Sequence, residues 1–350
     1  MVSHAALIDR LGALGRAPGF GPGDSFLAMA PLSFDVSLVE MLLPLLVGGT
    51  IVVPPAETRH DPELLTEIVR EHRPDVIQAT PSYWRLALAV GWEGAPEGRL
   101  WTGGEVLTPN LADKLVPRCA QLWNLYGPTE GTLWASATRV KPGESIDIGH
   151  ALSGVGLFLE DEGGSLTTRP GRVGEILLHS DSLPLGYLRR SELTAQRYVT
   201  RAAYGGLRRF YRTGDQARYR ADGTLEFLGR TDGQVKLRGN RVELLGLEAI
   251  AEDHPGVSEA VAVIRNADEP ERAHIAMFVV TDGSVSGRDL RRWIADRTLP
   301  GGRPSLVKIG LSLPRTASGK VDRVALAAGP SDGRSDGPSD ESRVLGSGAD

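Results

Sequence analysis

Cysteine is almost absent from this chain: among 350 residues, Cys119 is the only one. A lone thiol cannot form an internal disulfide and cannot build a metal site from several cysteine ligands. Reduced thiols persist in the cytoplasm, so we predict a cytoplasmic protein. The chain also lacks an excess of basic residues, because 39 Lys and Arg are outnumbered by 44 Asp and Glu, for a net charge of −5. This balance gives no reason to expect nucleic-acid or membrane binding.

A long uninterrupted apolar run is missing as well. The longest apolar stretch, residues 38–53, is broken by Glu40, Pro44 and the pair Gly48 and Gly49, which leaves it too interrupted to span a bilayer. The first ten residues contain no basic segment followed by an apolar one, so they do not predict a signal peptide. We therefore expect a soluble protein.

The order of the predicted elements indicates an α/β protein. In residues 3–138, short apolar strands alternate with stretches that carry apolar residues at helical spacing, such as 62–72. Repeated strand–helix–strand order indicates a parallel sheet with helices on its faces, and ligands bind beyond the carboxyl ends of such strands. Residues 101–105 and 124–130 both follow predicted strands, so we expect both segments to lie at that crevice.

Three further regions follow along the chain. Residues 139–231 combine strands with Gly and Pro turns and predict a small antiparallel barrel or sheet. Residues 232–328 mix helical and strand patterns and predict a small α+β domain that acts as a mobile lid. Residues 329–350 are rich in Gly, Ser, Asp and Pro, and we predict a disordered tail because such a segment cannot bury enough apolar surface.

The segment 229–239 is the most informative part of the sequence. Asp232 lies between Gly229 and Gly233, and glycines leave the backbone free to rotate about this point. Along residues 234–238, Gln, Lys and Arg alternate with apolar residues. We predict a hinge at Asp232 that swings a basic strand relative to an anionic ligand. The alternative is a tight turn into an edge strand with solvated charges.

Three other motifs accompany this segment in a fixed order: Asn124-Leu-Tyr-Gly-Pro-Thr-Glu130, Tyr211-Arg-Thr-Gly-Asp215 and Ser318-Gly-Lys-Val-Asp-Arg323. The ordered set resembles the adenylate-forming superfamily, and within it the amino-acid-activating adenylation domains of nonribosomal peptide synthetases. The resemblance extends from residue 1 to about residue 326. A Walker-type phosphate loop is excluded, because Val321 follows Gly-Lys where that loop needs Ser or Thr.

The resemblance implies a nucleotide site. Tyr126 would lie against the adenine ring, Thr129 would hydrogen-bond the α-phosphate and Glu130 would ligate Mg²⁺. Asp215 would accept the two ribose hydroxyls, helped by Arg230. The alternative is that these motifs are ordinary turns. The resemblance implies these nucleotide-site residues: Gly103, Gly104, Asn124, Tyr126, Gly127, Thr129, Asp215, Phe227 and Arg230. Phe227 stands at a position where the family often has Tyr.

The resemblance also implies a substrate site. Lys320 would enter it when the C-terminal domain closes and would bridge the substrate carboxylate and the nucleotide oxygens, offsetting negative charge in the transition state. Asp35 would pair with the α-ammonium group of an amino acid; the alternative is that it caps the helix that starts near Val36. Two indoles leave little room beyond the substrate Cα, so the implied substrate is glycine, with alanine second. The implied substrate-site residues are Asp35, Val36, Val39, Gln78, Trp101, Gly103, Leu125, Leu133, Trp134 and Lys320.

The sequence departs from the family in three further places. The family's domain is longer at its amino end, and no Ser/Thr/Gly-rich loop ending in Pro-Lys-Gly occurs here. We expect either a separate N-terminal half, a reading frame that begins too late, or a degenerate remnant. Residues 245–248 are Leu-Gly-Leu-Glu where Gly-Glu-Ile-Glu is usual, and residues 299–304 lack the usual Tyr-Met. The last two departures affect the expectation of thioester formation more than that of adenylation.

The function implied by the resemblance is activation of a small amino acid with ATP and Mg²⁺, which makes the chain an ATP-dependent adenylate-forming ligase. Transfer to the phosphopantetheine thiol of a carrier protein in trans would follow, and an MbtH-like protein is a further potential partner. Two alternatives stay open: an acyl- or aryl-CoA ligase, which generally lacks an acid at the position of Asp35, and an inactive remnant that binds a nucleotide or a partner.

Overall fold

The computed structural model describes residues 1–59, 61–230, 234–237, 240–267, 269, 272–298, 300–315 and 321–328. The chain divides into two compact units, Met1–Leu244 and Leu245–Asp350, and each is treated by itself. The predicted hinge residue Asp232, the predicted catalytic Lys320 and the predicted tail all lie outside the described residues. Among the described residues, no helix has both the length and the apolar character needed to cross a bilayer.

The first unit begins with a sheet in which strands and helices alternate. The strands are β1 (Ser25–Leu27), β2 (Thr50–Val52), β3 (Val76–Ala79), β4 (Ala95–Gly103), β5 (Cys119–Tyr126), β6 (Ser136–Val140) and β7 (His150–Ala151). The helices are α1 (His4–Leu14), α2 (Ser37–Val47), α3 (Glu63–His72), α4 (Pro81–Ala89) and α5 (Pro109–Leu115). The strand order is β2-β1-β3-β4-β5-β6-β7. The first five strands are parallel, whereas β6 and β7 are added antiparallel. The predicted α/β class is confirmed.

Helices cover both faces of this sheet, because successive strand residues point to opposite sides. On one face, Leu27, Ile77 and Leu100 pack with residues of α3, α4 and α5. On the other face, Phe26 and Trp101 pack with residues of α1 and α2. The carboxyl ends of β3, β4 and β5 therefore open between two buried apolar layers.

A second sheet completes the β-rich part of the first unit. Its strands are β8 (Val155–Glu160), β9 (Leu166–Thr167), β10 (Val173–Ser180), β11 (Tyr198–Ala203), β12 (Gly206–Tyr219) and β13 (Leu225–Arg230), with helix α6 (Ser191–Arg197) before β11. They pair antiparallel in the order β11-β12-β10-β8-β9, and β13 pairs with β12. A two-stranded antiparallel hairpin follows, formed by β14 (Gln234–Leu237) and β15 (Asn240–Glu243).

The second unit is a small α+β domain, as the sequence predicts. Its elements are α7 (Leu244–Glu252), β16 (Val257–Arg265), β17 (His274–Thr281), α8 (Gly287–Ala295), β18 (Leu306–Gly310) and α9 (Arg323–Ala328). Strand β17 pairs antiparallel with β16 and parallel with β18. Arg323 holds α9 in place by donating to both carboxylate oxygens of the buried Glu248, at 2.6 and 2.8 Å.

Candidate functional site

Three of the predicted nucleotide-site residues meet where the two sheets of the first unit come together. Asp215 in β12 is the register partner of Arg230 in β13, and Tyr126 is the last residue of β5. The Tyr126 hydroxyl donates to Oδ2 of Asp215 at 2.5 Å, and Nη1 of Arg230 donates to Oδ1 at 2.5 Å. Arg230 also donates to the carbonyl of Thr213 at 2.9 Å. The motifs at 124–130 and 211–215 therefore form one hydrogen-bonded group.

The surroundings of Tyr126 keep its hydroxyl protonated. Burial, together with the Asp215 carboxylate, raises the pKa of Tyr126 well above its ordinary value, so this phenol stays a neutral donor at physiological pH. Asp215 is 4% exposed, and its charge is balanced by the Arg230 guanidinium. The Phe227 ring lies 6.4 Å from the Tyr126 ring, centroid to centroid, with the two ring planes tilted by 44°.

Glu130 lies on the single helical turn Thr129–Gly131, which follows β5. The Tyr187 hydroxyl donates to Oε1 of Glu130 at 2.9 Å, and the Tyr198 hydroxyl donates to its backbone carbonyl at 3.0 Å. Burial first, and then the neighbouring hydroxyl and carboxylate, raise the pKa of Tyr187, so it also remains a donor. Neither tyrosine is among the residues predicted from the sequence. Thr129 is exposed.

The donor set fits Mg²⁺ bound mainly through a nucleotide. The described residues contain no group of three or more His, Cys, Asp or Glu side chains that could hold a metal ion by themselves. Mg²⁺ in nucleotide sites typically takes one or two carboxylates and completes its shell with phosphate oxygens and water. Glu130, which is partly exposed at the end of β5, is suited to be that carboxylate.

Close backbone packing shapes the loop around Tyr126. A Cβ at Gly127 would clash with the carbonyl oxygen of Leu133, and a Cβ at Gly103 would lie 2.5 Å from the carbonyl oxygen of Leu125. Gly104 has a φ of +84°, in the left-handed region that favours glycine. These glycines let two strand ends and the loop approach each other. Asn124 has a structural contact here, because its amide donates to the Asp147 carbonyl at 2.7 Å.

The predicted substrate-pocket residues also come together. Those with apolar or aromatic side chains belong to one buried cluster, which includes Val36, Val39, Trp101, Leu125, Leu133 and Trp134. Trp101 is fully buried and packs edge-on against Phe26 with ring centroids 5.4 Å apart. Gln78 is 4% exposed, and its Oε1 accepts a hydrogen bond from Nε1 of Trp134 at 2.9 Å. Gln78 in β3 and Trp101 in β4 are register partners, so the two indoles and the amide pack together near the carboxyl ends of these strands.

Asp35 is half-buried in the turn before α2. The N-cap residue of that helix is Val36, whose side chain makes no capping hydrogen bond. Asp35 thus immediately precedes the pocket residue Val36. The next pocket residue, Val39, follows about one helical turn later and lies on the same side.

Two family models match the chain. The model of AMP-binding enzymes matches residues 1–188, and the model of the AMP-binding enzyme C-terminal domain matches residues 246–320. The chain belongs to the AMP-binding enzyme family. Membership of this family supports the predicted enzyme class, an ATP-dependent adenylate-forming ligase.

Relatives within the AMP-binding family narrow the assignment. A dimodular nonribosomal peptide synthase from Bacillus subtilis is 35% identical over 330 residues, which cover 94% of this chain and 14% of that protein. PA1221, a nonribosomal peptide synthetase protein with adenylation and PCP domains, is 32% identical with a TM-score of 0.77, over 88% of this chain and 54% of that one. These similarities support the predicted place among nonribosomal peptide synthetase adenylation domains.

A third similar structure was solved with a bound ligand. The Vibrio cholerae adenylation domain AlmE, in complex with glycyl-adenosine-5'-phosphate, has a TM-score of 0.83 and 26% identity, over 93% of this chain and 62% of that one. The present chain spans less than two thirds of each of these three proteins.

Proposed function

We propose that this chain carries the nucleotide and amino-acid sites of an adenylation reaction in nonribosomal peptide synthesis. A carboxylate oxygen of the amino acid attacks the α-phosphorus of ATP, the bond from that phosphorus to the bridging oxygen breaks, and pyrophosphate leaves. The observation that carries this proposal is the hydrogen-bonded group of Tyr126, Asp215 and Arg230, in a chain that belongs to the AMP-binding family.

The roles follow from the chemistry of each group. The aromatic face of Tyr126 stacks on adenine, and the Asp215 carboxylate accepts from the ribose hydroxyls. The Thr129 hydroxyl, exposed at the end of β5, donates to the α-phosphate. Glu130 holds Mg²⁺, which when bound neutralises charge on the phosphate oxygens. Positioning and charge neutralisation thus supply most of the catalysis.

The substrate in this proposal is glycine, with alanine second. The support is the buried pair of indoles, Trp101 and Trp134, beyond Asp35, and the glycyl adenylate bound by the relative AlmE. Asp35 pairs with the α-ammonium group of the amino acid. Lys320 bridges the carboxylate and the nucleotide oxygens, and rotation about Asp232 then admits a carrier thiol.

The thiol in this proposal is that of a phosphopantetheine on a carrier protein, and an MbtH-like protein is a further partner. The carrier is supported by the PCP domain that accompanies adenylation in PA1221. A ligase for fatty or aryl acids is the competing enzyme class, and the acid at Asp35 favours the amino-acid substrate over it.

Calorimetric titration tests the proposal with ligands that cannot react. We expect the chain to bind 5'-O-(N-glycylsulfamoyl)adenosine and to bind the benzoyl analogue at least about tenfold more weakly, because only the glycyl group offers an ammonium to Asp35. Asp35→Asn should remove that preference. Tighter binding of the benzoyl analogue would favour the aryl-acid class, and binding of neither analogue would contradict the proposal.

A further inference from the structure

A carboxyl group is buried within the apolar side of α2. The buried residues of α2 include Val39 and Leu43, and Val36, the residue before the helix, is buried as well. Glu40, also in α2, is 1% exposed. Burial of an acid in apolar surroundings is costly unless its oxygens find donors, so its partners define what it does.

Glu40 begins a chain of hydrogen bonds that ends at the substrate pocket. Its Oε2 accepts from the backbone amide of Ala30 at 2.7 Å. Its Oε1 accepts from Nε2 of Gln78 at 3.1 Å, and Oε1 of Gln78 accepts from Nε1 of Trp134 at 2.9 Å. All three side chains are at least nine-tenths buried, so water does not compete for these bonds.

The chemistry of the two ends sets the direction of this chain. The amide of a glutamine can in principle lie either way round, because its oxygen accepts and its nitrogen donates. The Trp134 indole can only donate, so it needs the oxygen of Gln78. Oε1 of Glu40 accepts whether the group is ionised or carries its proton on Oε2, so it takes the nitrogen of Gln78.

We propose that Glu40 is a positioning residue for amino-acid selection: it orients the Gln78 amide and thereby fixes the Trp134 indole as a wall of the substrate pocket. This inference rests on the proposed function, since a pocket wall selects only if a substrate binds there. Glu40 itself does not touch the substrate. Its influence passes through two hydrogen bonds and the packing of one indole.

An amide at position 40 breaks this arrangement for a specific reason. Glu40→Gln has one accepting oxygen, and both Ala30 and Gln78 need one. If that oxygen stays with the Ala30 amide, its nitrogen faces Gln78, which must turn over. The nitrogen of Gln78 then faces the Trp134 indole, donor against donor. An indole that loses its acceptor while buried is destabilised in that rotamer.

Exchanging the two side chains restores the hydrogen bonds to Ala30 and Trp134 and the one between positions 40 and 78, and it loses only the long 3.5 Å bond from Nε2 of Gln78 to the Val36 carbonyl. In Glu40→Gln/Gln78→Glu, the amide oxygen at position 40 accepts from Ala30 and its nitrogen donates to the carboxylate at position 78. The other oxygen of that carboxylate accepts from Trp134. A matched control is Glu160→Gln, which alters a buried glutamate that is paired with Arg201 and lies far along the chain in β8.

The test combines a spectroscopic and a binding measurement on the full chain. The indole N–H signal of Trp134 is followed by NMR with ¹⁵N-tryptophan and is assigned with Trp134→Phe. Calorimetry compares the glycyl and valyl sulfamoyladenosines. We expect Glu40→Gln to shift the Trp134 signal and to reduce the preference for the glycyl analogue about tenfold. The exchanged variant should restore both, and Glu160→Gln should change neither.

Each outcome of these measurements either supports or overturns the proposal. A folded Glu40→Gln whose Trp134 signal and preference match the wild type overturns the proposal. If Glu40→Gln does not fold, the exchanged variant decides: recovery of the wild-type signal and preference supports the proposal, and failure to recover them overturns it. If the wild type binds neither analogue, the proposed function fails, whereas the Trp134 signal still shows whether Glu40 positions the indole.

Discussion

The Tyr187 hydroxyl lies 2.9 Å from Oε1 of Glu130, which joins the segment before α6 to the end of β5. The Tyr198 hydroxyl holds the carbonyl of the same residue at 3.0 Å, and the Thr132 hydroxyl donates to the carbonyl of Ser182 at 2.7 Å. The carboxylate of Glu130 is therefore oriented by the segment before α6, and its backbone carbonyl by the first residue of β11. A carboxylate that is oriented before it binds a metal loses less entropy on binding.

We expect Tyr187→Phe to weaken metal binding without unfolding the chain. Loss of a hydrogen bond to a metal-binding carboxylate typically costs about tenfold in metal affinity. Titration of Mn²⁺ in the presence of AMP, followed by electron paramagnetic resonance, measures this directly. Tyr204→Phe is the control, because Tyr204 is 66% exposed and should leave the affinity unchanged. Equal affinities in wild type and Tyr187→Phe would show that the contact does not orient Glu130.

The group around Asp215 is predictable from the sequence, whereas the two tyrosines that contact Glu130 are not. The Tyr-Gly-Pro-Thr-Glu and Thr-Gly-Asp motifs can be recognised in the sequence, so Tyr126 and Asp215 are both predicted although 89 residues separate them. Tyr187 and Tyr198 belong to no predicted motif, and their partner is Glu130, 57 and 68 residues away. A single tyrosine has no period and no spacing that reveals such a contact.

The helices that pack on the first sheet agree closely with the sequence pattern, because amphipathic spacing indicates which side of a helix is buried. The predicted helix 62–72 corresponds to Glu63–His72. Short strands at turns have weaker patterns, and β6, β8 and β9 do not stand out in the sequence. The contacts of Glu40 could not be predicted from the sequence either. In the sequence Glu40 only interrupts an apolar stretch, and its proposed role depends on Gln78, which lies in strand β3.

Asp215→Asn should weaken both AMP binding and folding. The substitution removes the ion pair between Asp215 and Arg230, and breaking a buried ion pair costs about 3 kcal/mol in the free energy of unfolding. Calorimetry should show AMP affinity reduced at least about tenfold, since an amide accepts fewer hydrogen bonds. Asp222→Asn, in the turn between β12 and β13, is the control and should retain AMP affinity. Unchanged AMP affinity in Asp215→Asn would remove this residue from the nucleotide site.

Two Gly→Ala substitutions should have opposite effects on stability. At Gly127 the new Cβ would clash with the Leu133 carbonyl oxygen, so we expect a loss of about 1–3 kcal/mol in the free energy of unfolding. At Gly12, within α1, the nearest atom to a Cβ is Arg16 Nη1 at 3.9 Å, and alanine should stabilise the helix by about 0.5–1 kcal/mol. Urea unfolding measures both, and a stable Gly127→Ala would contradict the close approach of these two segments.

Glu40 should make folding less favourable as the pH rises. Burial raises the pKa of Glu40 from 4.5 to about 8, against the lowering effects of its hydrogen bonds and of Arg59. Between these two values the folded chain binds a proton that the unfolded chain has released. The free energy of unfolding therefore falls with increasing pH, by up to about 1.4 kcal/mol per pH unit. The contribution is complete below pH 4.5 and is lost above pH 8.

Urea unfolding of wild type and Glu40→Gln between pH 4 and pH 9 isolates this effect, because other titrating groups contribute equally to both proteins. The difference in unfolding free energy, wild type minus variant, should decrease by about 3–5 kcal/mol across the series. The control is the same comparison in a Glu160→Gln background: the pairing of Glu160 with Arg201 and Arg212 is independent of Glu40, so Glu40→Gln should change the slope there by the same amount. Parallel curves for wild type and Glu40→Gln would mean that folding does not change the pKa of the Glu40 carboxyl group, and would contradict this prediction.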